Sequence, residues 1–208
     1  MTNFTDIQWL FFDIGSTLVD ESKAYEHRIK DTINGSNIYY EQFYNAMISF
    51  AKQGLNSYNE AVRFFGLNVT PWHSEDEFLF PETISTLNAL SERYKIGIVA
   101  NQLPGINERL NKMRLAQYIS LTVSSTEEGV AKPDPAIFEL ALERAGCTAE
   151  NAIMIGDSLD NDIIPAKRLG MHTIWVRQGF GGMADIKHAE NIADNTVKNI
   201  GEIPYFLR

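Results

Sequence analysis

The sequence predicts an α/β fold, with a Rossmann-like parallel sheet, helices on both faces and a small all-α insertion after the first strand. Three observations lead to this prediction. From about residue 82, short apolar runs of strand length alternate with segments of helical period. A further apolar run, residues 8–13, precedes a long block of helical period. Repeated β–α units form parallel sheets that helices cover on both sides.

The first part of the chain combines one strand with a helical block. The run Trp9-Leu10-Phe11-Phe12 is apolar and a turn of small residues follows it, which is typical of a buried strand. From about residue 21 to 67, apolar residues recur at helical spacing, and a glycine follows each of three runs: Gly35, Gly54 and Gly66. Segment 68–81 is acidic and contains two prolines, as linkers do. We therefore predict a helical cap over 19–81 and a core over 1–18 and 82–208.

The second part of the chain alternates regularly. Predicted helices over 82–93, 105–115, 135–145 and 160–169 alternate with predicted strands over 95–100, 120–123, 152–156 and 172–176. The helix over 135–145 has the clearest boundaries, because Asp134 suits the N-cap, Pro135 suits the first turn and Gly146 suits the C-terminal end. Residues 195–206 are expected to add a last strand and helix.

Composition restricts the partners and the compartment. The chain has 208 residues, with 18 basic and 27 acidic side chains and a net charge of −9. Such a surface repels nucleic acid and anionic lipid, and no apolar run is long enough to span a membrane. Cys147 is the single cysteine, so no internal disulfide forms. No secretory leader pattern is visible, and we expect a cytoplasmic protein; the sequence does not predict an oligomeric state.

Carboxylates follow two of the predicted strands. Asp13 ends the first strand, and Asp157 ends the strand over 152–156, with Asp160 and Asp162 close behind. In such sheets, ligands bind beyond the carboxyl ends of the strands, and converging carboxylates repel each other unless a cation or proton intervenes. Mg²⁺ prefers a site made of one or two carboxylates, waters and a substrate phosphate. The pattern indicates a Mg²⁺ site and a small phosphorylated metabolite as substrate.

Four segments resemble, in order, the motifs of the haloacid dehalogenase-like (HAD) superfamily. They are Asp13-Ile14-Gly15-Ser16-Thr17-Leu18, Ile98-Val99-Ala100-Asn101, Ala131-Lys132-Pro133-Asp134-Pro135 and Gly156-Asp157-Ser158-Leu159-Asp160-Asn161-Asp162. The helical block lies where this family inserts a C1-type cap. The resemblance covers nearly the whole chain and implies a hydrolase, above all a phosphatase that works through an aspartyl-phosphate intermediate.

The resemblance also implies roles for single residues. Asp13 would be the nucleophile, and Lys132 would neutralise charge that builds up in the transition state. Asp13, Asp157 and the backbone carbonyl of Gly15 would ligate Mg²⁺. Asp162 would act as an indirect metal ligand or would orient Lys132.

Two further segments are candidates for phosphate binding. The turn after Asp13 offers the backbone N–H groups of Ser16 and Thr17 as an anion-binding nest. Asn101 could donate to phosphate through its backbone or its side chain. It would partly replace a hydroxyl that the second motif of the family carries at the position of Ala100.

The chain departs from the family motifs at three positions. Gly15 replaces a second aspartate, which in the family's phosphatases is the general acid and base. Ser16 replaces a glycine, and Ala100 replaces a threonine or serine that contacts the phosphoryl group. A positioned general acid or base contributes roughly 10²–10⁴-fold to a rate. We therefore expect weak activity that favours good leaving groups, such as aryl phosphates.

Two alternative functions stay open at this point. One is a phosphate- or metal-binding homologue that has lost catalysis, which Gly15 and Ala100 favour. The other is hydrolysis of a carbon–halogen or carbon–phosphorus bond, because family members with those reactions also lack the second aspartate. Carbon–phosphorus cleavage would need a cap lysine that forms a Schiff base, and the candidates are Lys23, Lys30 and Lys52.

Overall fold

The computed structural model describes residues 4–185 and 192–207. The strands are β1 (Trp9–Phe12), β2 (Val19–Asp20), β3 (Phe78–Leu79), β4 (Lys95–Ala100), β5 (Ile119–Ser124), β6 (Ala152–Gly156), β7 (His172–Val176) and β8 (Asn195–Val197). The α-helices are α1 (Ser22–Ile33), α2 (Tyr40–Lys52), α3 (Ser57–Phe65), α4 (Thr83–Ser91), α5 (Ile106–Lys112), α6 (Ser125–Glu128), α7 (Pro135–Ala145), α8 (Ile164–Arg168) and α9 (Ile203–Phe206).

A six-stranded parallel sheet forms the centre of the fold, with the strand order β5-β4-β1-β6-β7-β8. Strand β1 pairs with β4 on one side and with β6 on the other. The strand order reverses at this point, and open α/β sheets bind their ligands in the crevice at such a switch point. The predicted fold class is therefore confirmed, and the ends of β1 and β6 lie side by side.

Strand β1 is buried on both faces, which explains its uninterrupted apolar sequence. Successive side chains of a strand point to opposite faces of the sheet. Leu10 and Phe12 pack into a cluster with residues of α4, α5 and α9. Trp9 and Phe11 pack into a second cluster with residues of α7 and α8. The sheet therefore has helices on both faces, as the sequence predicts.

The helices α1, α2 and α3 form a helical insertion between β1 and β4. The insertion has a hydrophobic core of its own, with the buried residues Ile29, Phe43, Met47, Tyr58, Ala61 and Val62. Helix α3 ends at Gly66, whose φ of 66° is in the left-handed region that favours glycine. These helices lie within the predicted range 19–81, although the exact division into core and cap stays a prediction.

A small antiparallel pair, which the sequence did not predict, lies at the base of the insertion. Val19 of β2 is paired with Leu79 of β3, and Asp20 with Phe78. The Thr83 hydroxyl donates a 2.7 Å hydrogen bond to the Leu18 carbonyl beside this pair. The two chain segments that enter and leave the insertion are therefore held together. Two-residue strands are too short to produce a readable alternation in a sequence.

The predicted helix over 160–169 is divided in two. A π-helical turn over Leu159–Ile163 precedes α8. Pro165 has no backbone N–H and stands in the first turn of α8, so a regular α-helix cannot run through this point. The predicted last strand and helix are found as β8 and α9. Within the described residues, no helix is both long and apolar enough to cross a membrane.

A buried ion pair joins the insertion to the sheet domain. The Glu77 carboxylate precedes β3, and its side chain is 1% exposed. It accepts a hydrogen bond from the Trp72 indole at 2.7 Å and forms a salt bridge with Arg109 of α5. A buried charge needs a partner because its desolvation is costly. This contact therefore favours one placement of the insertion over the sheet.

We expect Arg109→Met to lower the free energy of unfolding by about 3 kcal/mol, because it leaves the Glu77 carboxylate buried without its cation. The matched control is Arg63→Met, which removes an exposed Arg–Glu pair and should cost at most about 1 kcal/mol. Urea unfolding followed by circular dichroism measures both changes. Equal losses in the two variants would contradict the importance of the buried pair.

Candidate active site

A buried lysine lies between two aspartates at the carboxyl edge of the sheet. The Lys132 ammonium lies 2.6 Å from Asp13 Oδ1 and 2.5 Å from Asp162 Oδ1. The Lys132 side chain is 2% exposed. Asp13 follows β1, Asp162 belongs to the turn after β6, and Lys132 comes from the segment between α6 and α7. Three of the four predicted motifs therefore meet at one ammonium group.

The remaining motif, the second in chain order, holds the backbone of Lys132. Asn101 follows β4, and its side-chain oxygen accepts a 2.8 Å hydrogen bond from the Lys132 N–H. Its side-chain nitrogen donates a 2.8 Å hydrogen bond to the Lys132 carbonyl. The predicted contact of Asn101 with phosphate stays a prediction. The structure adds a second task for this residue, since it fixes the main chain from which the Lys132 side chain extends.

Hydrogen bonds hold the Asp162 carboxylate and the main chain of Asp157, both in the motif over 156–162. Asp162 Oδ2 accepts a 3.1 Å hydrogen bond from the Ser158 N–H. The backbone carbonyl of Asp157 accepts a 2.7 Å hydrogen bond from the Trp175 indole. Both aspartate side chains are buried. The turn after β6 therefore directs Asp157 and Asp162 towards Asp13, and Asp162 contacts Lys132, as the resemblance implies.

Burial and mutual repulsion control the charges of this cluster. Burial raises the pKa of Asp157 well above its ordinary value, and the nearby charges of Asp13 and Asp162 raise it further. Burial also raises the pKa of Asp162, while the contact with Lys132 opposes the shift. Burial alone would lower the pKa of Lys132, but its two carboxylate neighbours outweigh this effect and raise it. Lys132 is therefore a permanent cation.

The carboxylates of Asp13, Asp157 and Asp162 could hold a metal ion. One oxygen from each lies within 4.8 Å of the others, and all three residues are buried. Lys132 supplies one positive charge against these three carboxylates, so a further cation would relieve their repulsion. Carboxylate oxygens are the hard ligands that Mg²⁺ prefers. Gly15, whose backbone carbonyl is a predicted metal ligand, lines the same cavity as Asp13 and Asp157.

The turn after Asp13 contains the predicted anion-binding residues. Ser16 has a φ of 55°, which is unusual for a residue with a side chain and turns the backbone sharply. The Thr17 N–H donates a 3.3 Å hydrogen bond to the Ile14 carbonyl and so closes the turn. The Thr17 hydroxyl is buried and has no hydrogen-bond partner among the described residues. The anion-binding nest of Ser16 and Thr17 stays a prediction.

A cavity of about 440 Å³ opens over these residues. It is lined by residues at the strand ends, such as Asp13, Asn101 and Asp157, and by Asn56 and Ser57 of the helical insertion. Such a volume suits a small ligand. The cavity therefore lies between the ends of the strands and the insertion.

The sequence reasoning missed Glu21, the residue before α1. Its carboxylate turns into the site and accepts a 2.8 Å hydrogen bond from the Ser16 hydroxyl. Burial raises the pKa of Glu21 to about 7, and the hydrogen bond from Ser16 opposes the shift. Glu21 lines the same cavity as Asp13. The sequence offered no signal beyond an acidic residue close to a helix start, which is common without any function.

The glycine-rich segment 179–182 also belongs to the site. The backbone of Gly181 packs against the Asp157 carboxylate. Gly179 packs equally closely against the Ser16 side chain. A Cβ atom at either glycine would collide with its neighbour. Phe180 between them contacts Tyr25 and Tyr44 of the insertion, so this loop connects the insertion to the site.

Known proteins resemble this chain over almost its whole length. A glyceraldehyde 3-phosphate phosphatase of Pyrococcus furiosus is 29% identical over 220 aligned positions, which cover 95% of this chain and 91% of the relative. Among solved structures, a predicted phosphoglycolate phosphatase of Haemophilus somnus aligns with a TM-score of 0.74 at 17% identity, over 98% of this chain and 99% of that one. Magnesium-bound YfnB of Bacillus subtilis, a putative HAD-hydrolase, aligns with a TM-score of 0.69 at 18% identity, over 98% and 99%.

The parallel sheet, with buried aspartates beyond its strand ends, is an α/β architecture with a candidate active site. The family pattern described as haloacid dehalogenase-like hydrolase matches residues 10–176. The chain belongs to this family, and the predicted resemblance is confirmed. The solved structures are too distant in sequence to show more than the fold.

We expect Lys132→Met to lower the free energy of unfolding by about 3 kcal/mol when measured in chelator, because it leaves Asp13 and Asp162 without their cation. Lys112→Met is the matched control, since Lys112 pairs with Glu108 on the surface and contributes at most about 1 kcal/mol. Urea unfolding at pH 7.5 measures both. A loss no larger than that of the control would show that Lys132 does not neutralise the cluster.

Proposed function

We propose that this protein is a Mg²⁺-dependent phosphatase that acts on a small phosphorylated metabolite through an aspartyl-phosphate intermediate. The observation that carries the proposal is the Asp13 carboxylate, bound by Lys132 at 2.6 Å and open to a cavity that Asp157 also lines. A nucleophile, a fixed cation and a metal-binding carboxylate in one cavity are the groups that phosphoryl transfer requires.

The first chemical step is an attack of Asp13 on phosphorus. One oxygen of the carboxylate is held by Lys132, which fixes the direction of the other. The bond from phosphorus to the leaving oxygen breaks, and the phosphoryl group is transferred to Asp13. Positioning of this kind accounts for much of the rate of phosphoryl transfer. The Lys132 ammonium remains close to the phosphoryl oxygens and stabilises their charge.

The proposed metal ligands are Asp13, Asp157 and the backbone carbonyl of Gly15, with Asp162 in an indirect role. A glycine supplies this carbonyl as well as any residue does, so the departure at position 15 does not remove a ligand. When bound, Mg²⁺ would neutralise phosphoryl charge and relieve the repulsion among the carboxylates. Asp162 would act through Lys132, which it contacts at 2.5 Å.

Ser16, Thr17 and Asn101 are the proposed phosphate-binding residues together with Lys132. Ser16 and Asn101 line the cavity. The backbone of the turn after Asp13 is close enough in sequence to contact a phosphoryl group attached to that residue. Residues 19–81 would serve as the cap, because residues of the α2–α3 connection line the cavity together with residues at the strand ends.

The size of the cavity and the relatives together support a small substrate. A volume of about 440 Å³ leaves room for a phosphorylated metabolite. The relative from Pyrococcus furiosus is named for activity on glyceraldehyde 3-phosphate, a molecule of this size. The net charge of −9 disfavours a nucleic acid as partner.

The alternative of carbon–phosphorus cleavage receives no support from the described site. It requires a lysine of the insertion in the cavity. Lys23 lies over the Phe78 ring at 4.5 Å, and Lys30 pairs with Glu26 at 2.5 Å. Neither these two nor Lys52 lines the described cavity. A phosphatase therefore fits the described residues better.

We expect the wild type to hydrolyse p-nitrophenyl phosphate with Mg²⁺ and to lose this activity in chelator. Asp13→Asn should reduce the rate by at least roughly 10⁴-fold, because an amide cannot form the acyl phosphate. Asp20→Asn, in β2 and not among the residues that line this cavity, serves as the control and should keep the activity. Release of p-nitrophenol followed at 405 nm gives all the rates.

The same assay can contradict the proposal. If the wild type shows no turnover above Asp13→Asn while calorimetry still detects Mg²⁺ binding, the protein is a metal-binding homologue without phosphatase activity. Turnover that persists in chelator would remove the metal from the mechanism.

A further inference from the structure

The space beside Gly15 is already occupied. A Cβ atom at residue 15 would lie 2.5 Å from Glu21 Oε1 and 2.9 Å from Glu21 Cδ. In an aspartate, the carboxylate oxygens lie two bond lengths beyond Cβ, at about 2.4 Å. The Glu21 carboxylate therefore stands directly beside residue 15, with Oε1 at about the distance from Cβ at which an aspartate carries its own oxygens.

The position of the Glu21 carboxylate is fixed from one side. Oε2 accepts the 2.8 Å hydrogen bond from the Ser16 hydroxyl. Among the described residues, Ser16 is the only hydrogen-bond donor to this carboxylate. Oε1, the oxygen nearest to Gly15, accepts no hydrogen bond from the part of the chain that the structure describes. Glu21 and Asp13 line the same cavity, so Oε1 is available to a ligand there.

A purely structural role for Glu21 is not supported by its contacts. Glu21 stands at the N-cap position of α1, where Ser, Thr, Asp or Asn would bind the free N–H groups of the first turn. Its side chain makes no such hydrogen bond. It also forms no salt bridge among the described residues. A half-buried carboxylate without a salt-bridge partner among the described residues lowers the free energy of unfolding.

We propose that Glu21 is the general acid and base of this active site, in place of a side chain at residue 15. Two of the three departures from the family motifs then belong together. Glycine at residue 15 leaves room for the Glu21 carboxylate, and serine at residue 16 supplies the hydroxyl that orients it. This inference rests on the proposed phosphatase function and names a further residue for that reaction.

The proton transfers balance over the two chemical steps. In the first step, Asp13 attacks phosphorus, the bond to the alcohol oxygen breaks, and this oxygen takes the proton of the Glu21 carboxyl group. In the second step, a water oxygen attacks phosphorus and gives its proton to the Glu21 carboxylate. The bond between phosphorus and Asp13 breaks, and its electron pair returns to Asp13. The products are alcohol and phosphate, with Glu21 protonated as before.

The first test compares leaving groups. We expect Glu21→Gln to lower kcat/KM for glycerol 2-phosphate by roughly 10²–10⁴-fold, because an alkoxide cannot leave without a proton. For p-nitrophenyl phosphate, kcat/KM should fall by less than roughly 10-fold, because nitrophenolate leaves unaided. Glu41→Gln, an exposed glutamate of α2, is the matched control and should leave both values unchanged.

The second test uses rapid-mixing kinetics on p-nitrophenyl phosphate. In Glu21→Gln the first step stays fast, while the attack of water lacks its base. We expect a burst of p-nitrophenol that equals the enzyme concentration, followed by slow turnover. The burst should disappear in Glu21→Gln/Asp13→Asn. A structural role for Glu21 would not produce a burst.

The third test places a carboxylate at residue 15 and removes the one at residue 21. Gly15→Asp alone should be impaired, because its side chain collides with Glu21. Glu21→Ala removes the obstacle, so Gly15→Asp/Glu21→Ala should regain at least roughly 10-fold of the kcat/KM for glycerol 2-phosphate that Glu21→Ala loses. Thermal unfolding of each variant shows that it is folded.

The outcomes separate the two proposals. If the wild type has no Asp13-dependent turnover on either phosphate, the phosphatase proposal itself fails. If that turnover exists and folded Glu21→Gln matches the wild type on both substrates without a burst, the role of Glu21 is overturned and the phosphatase proposal stands. An equal loss on aryl and alkyl substrates without a burst also overturns it.

Discussion

The arrangement of the site depends on the contacts of the Lys132 ammonium group with two aspartates. This group bridges Asp13 at the end of β1 and Asp162 after β6, and both contacts are buried. Buried ion pairs of this kind add little net stability, because desolvation offsets the attraction. They do impose geometry, since each charge must find its partner. Asn101 completes this arrangement by holding the backbone of Lys132 with two hydrogen bonds.

The sheet and much of the site could be predicted from the sequence because their signals are local. Strand β1 is apolar at every position, and Asp13 follows at once, so both the strand and the carboxylate at its end are visible in one short segment. Helix α7 shows its start and end through Asp134 and Gly146, and the structure has those boundaries. Helix α8 was less well predicted, because the sequence pattern does not show that the turn before Pro165 is wound as a π-helix.

The remaining features depend on contacts between distant parts of the chain. Glu21 is an ordinary acidic residue in the sequence, and only the fold shows that its carboxylate reaches the space beside Gly15. The loop around Gly181 follows β7, and its approach to Asp157 arises from the neighbouring positions of β6 and β7 in the sheet. From the sequence alone, glycine at residue 15 suggests that the general acid and base is lost. In the structure, this glycine leaves room for the Glu21 carboxylate.

The most direct test of the account is to locate the phosphoryl group during turnover. The wild type is mixed with p-nitrophenyl phosphate and Mg²⁺, quenched in acid within the first turnover and mapped by mass spectrometry after digestion. The account predicts phosphorylation on the peptide that contains Asp13, at Asp13 itself, and none when chelator replaces Mg²⁺. Release of phosphate with no phosphorylated peptide, or with the group on another residue, would contradict it.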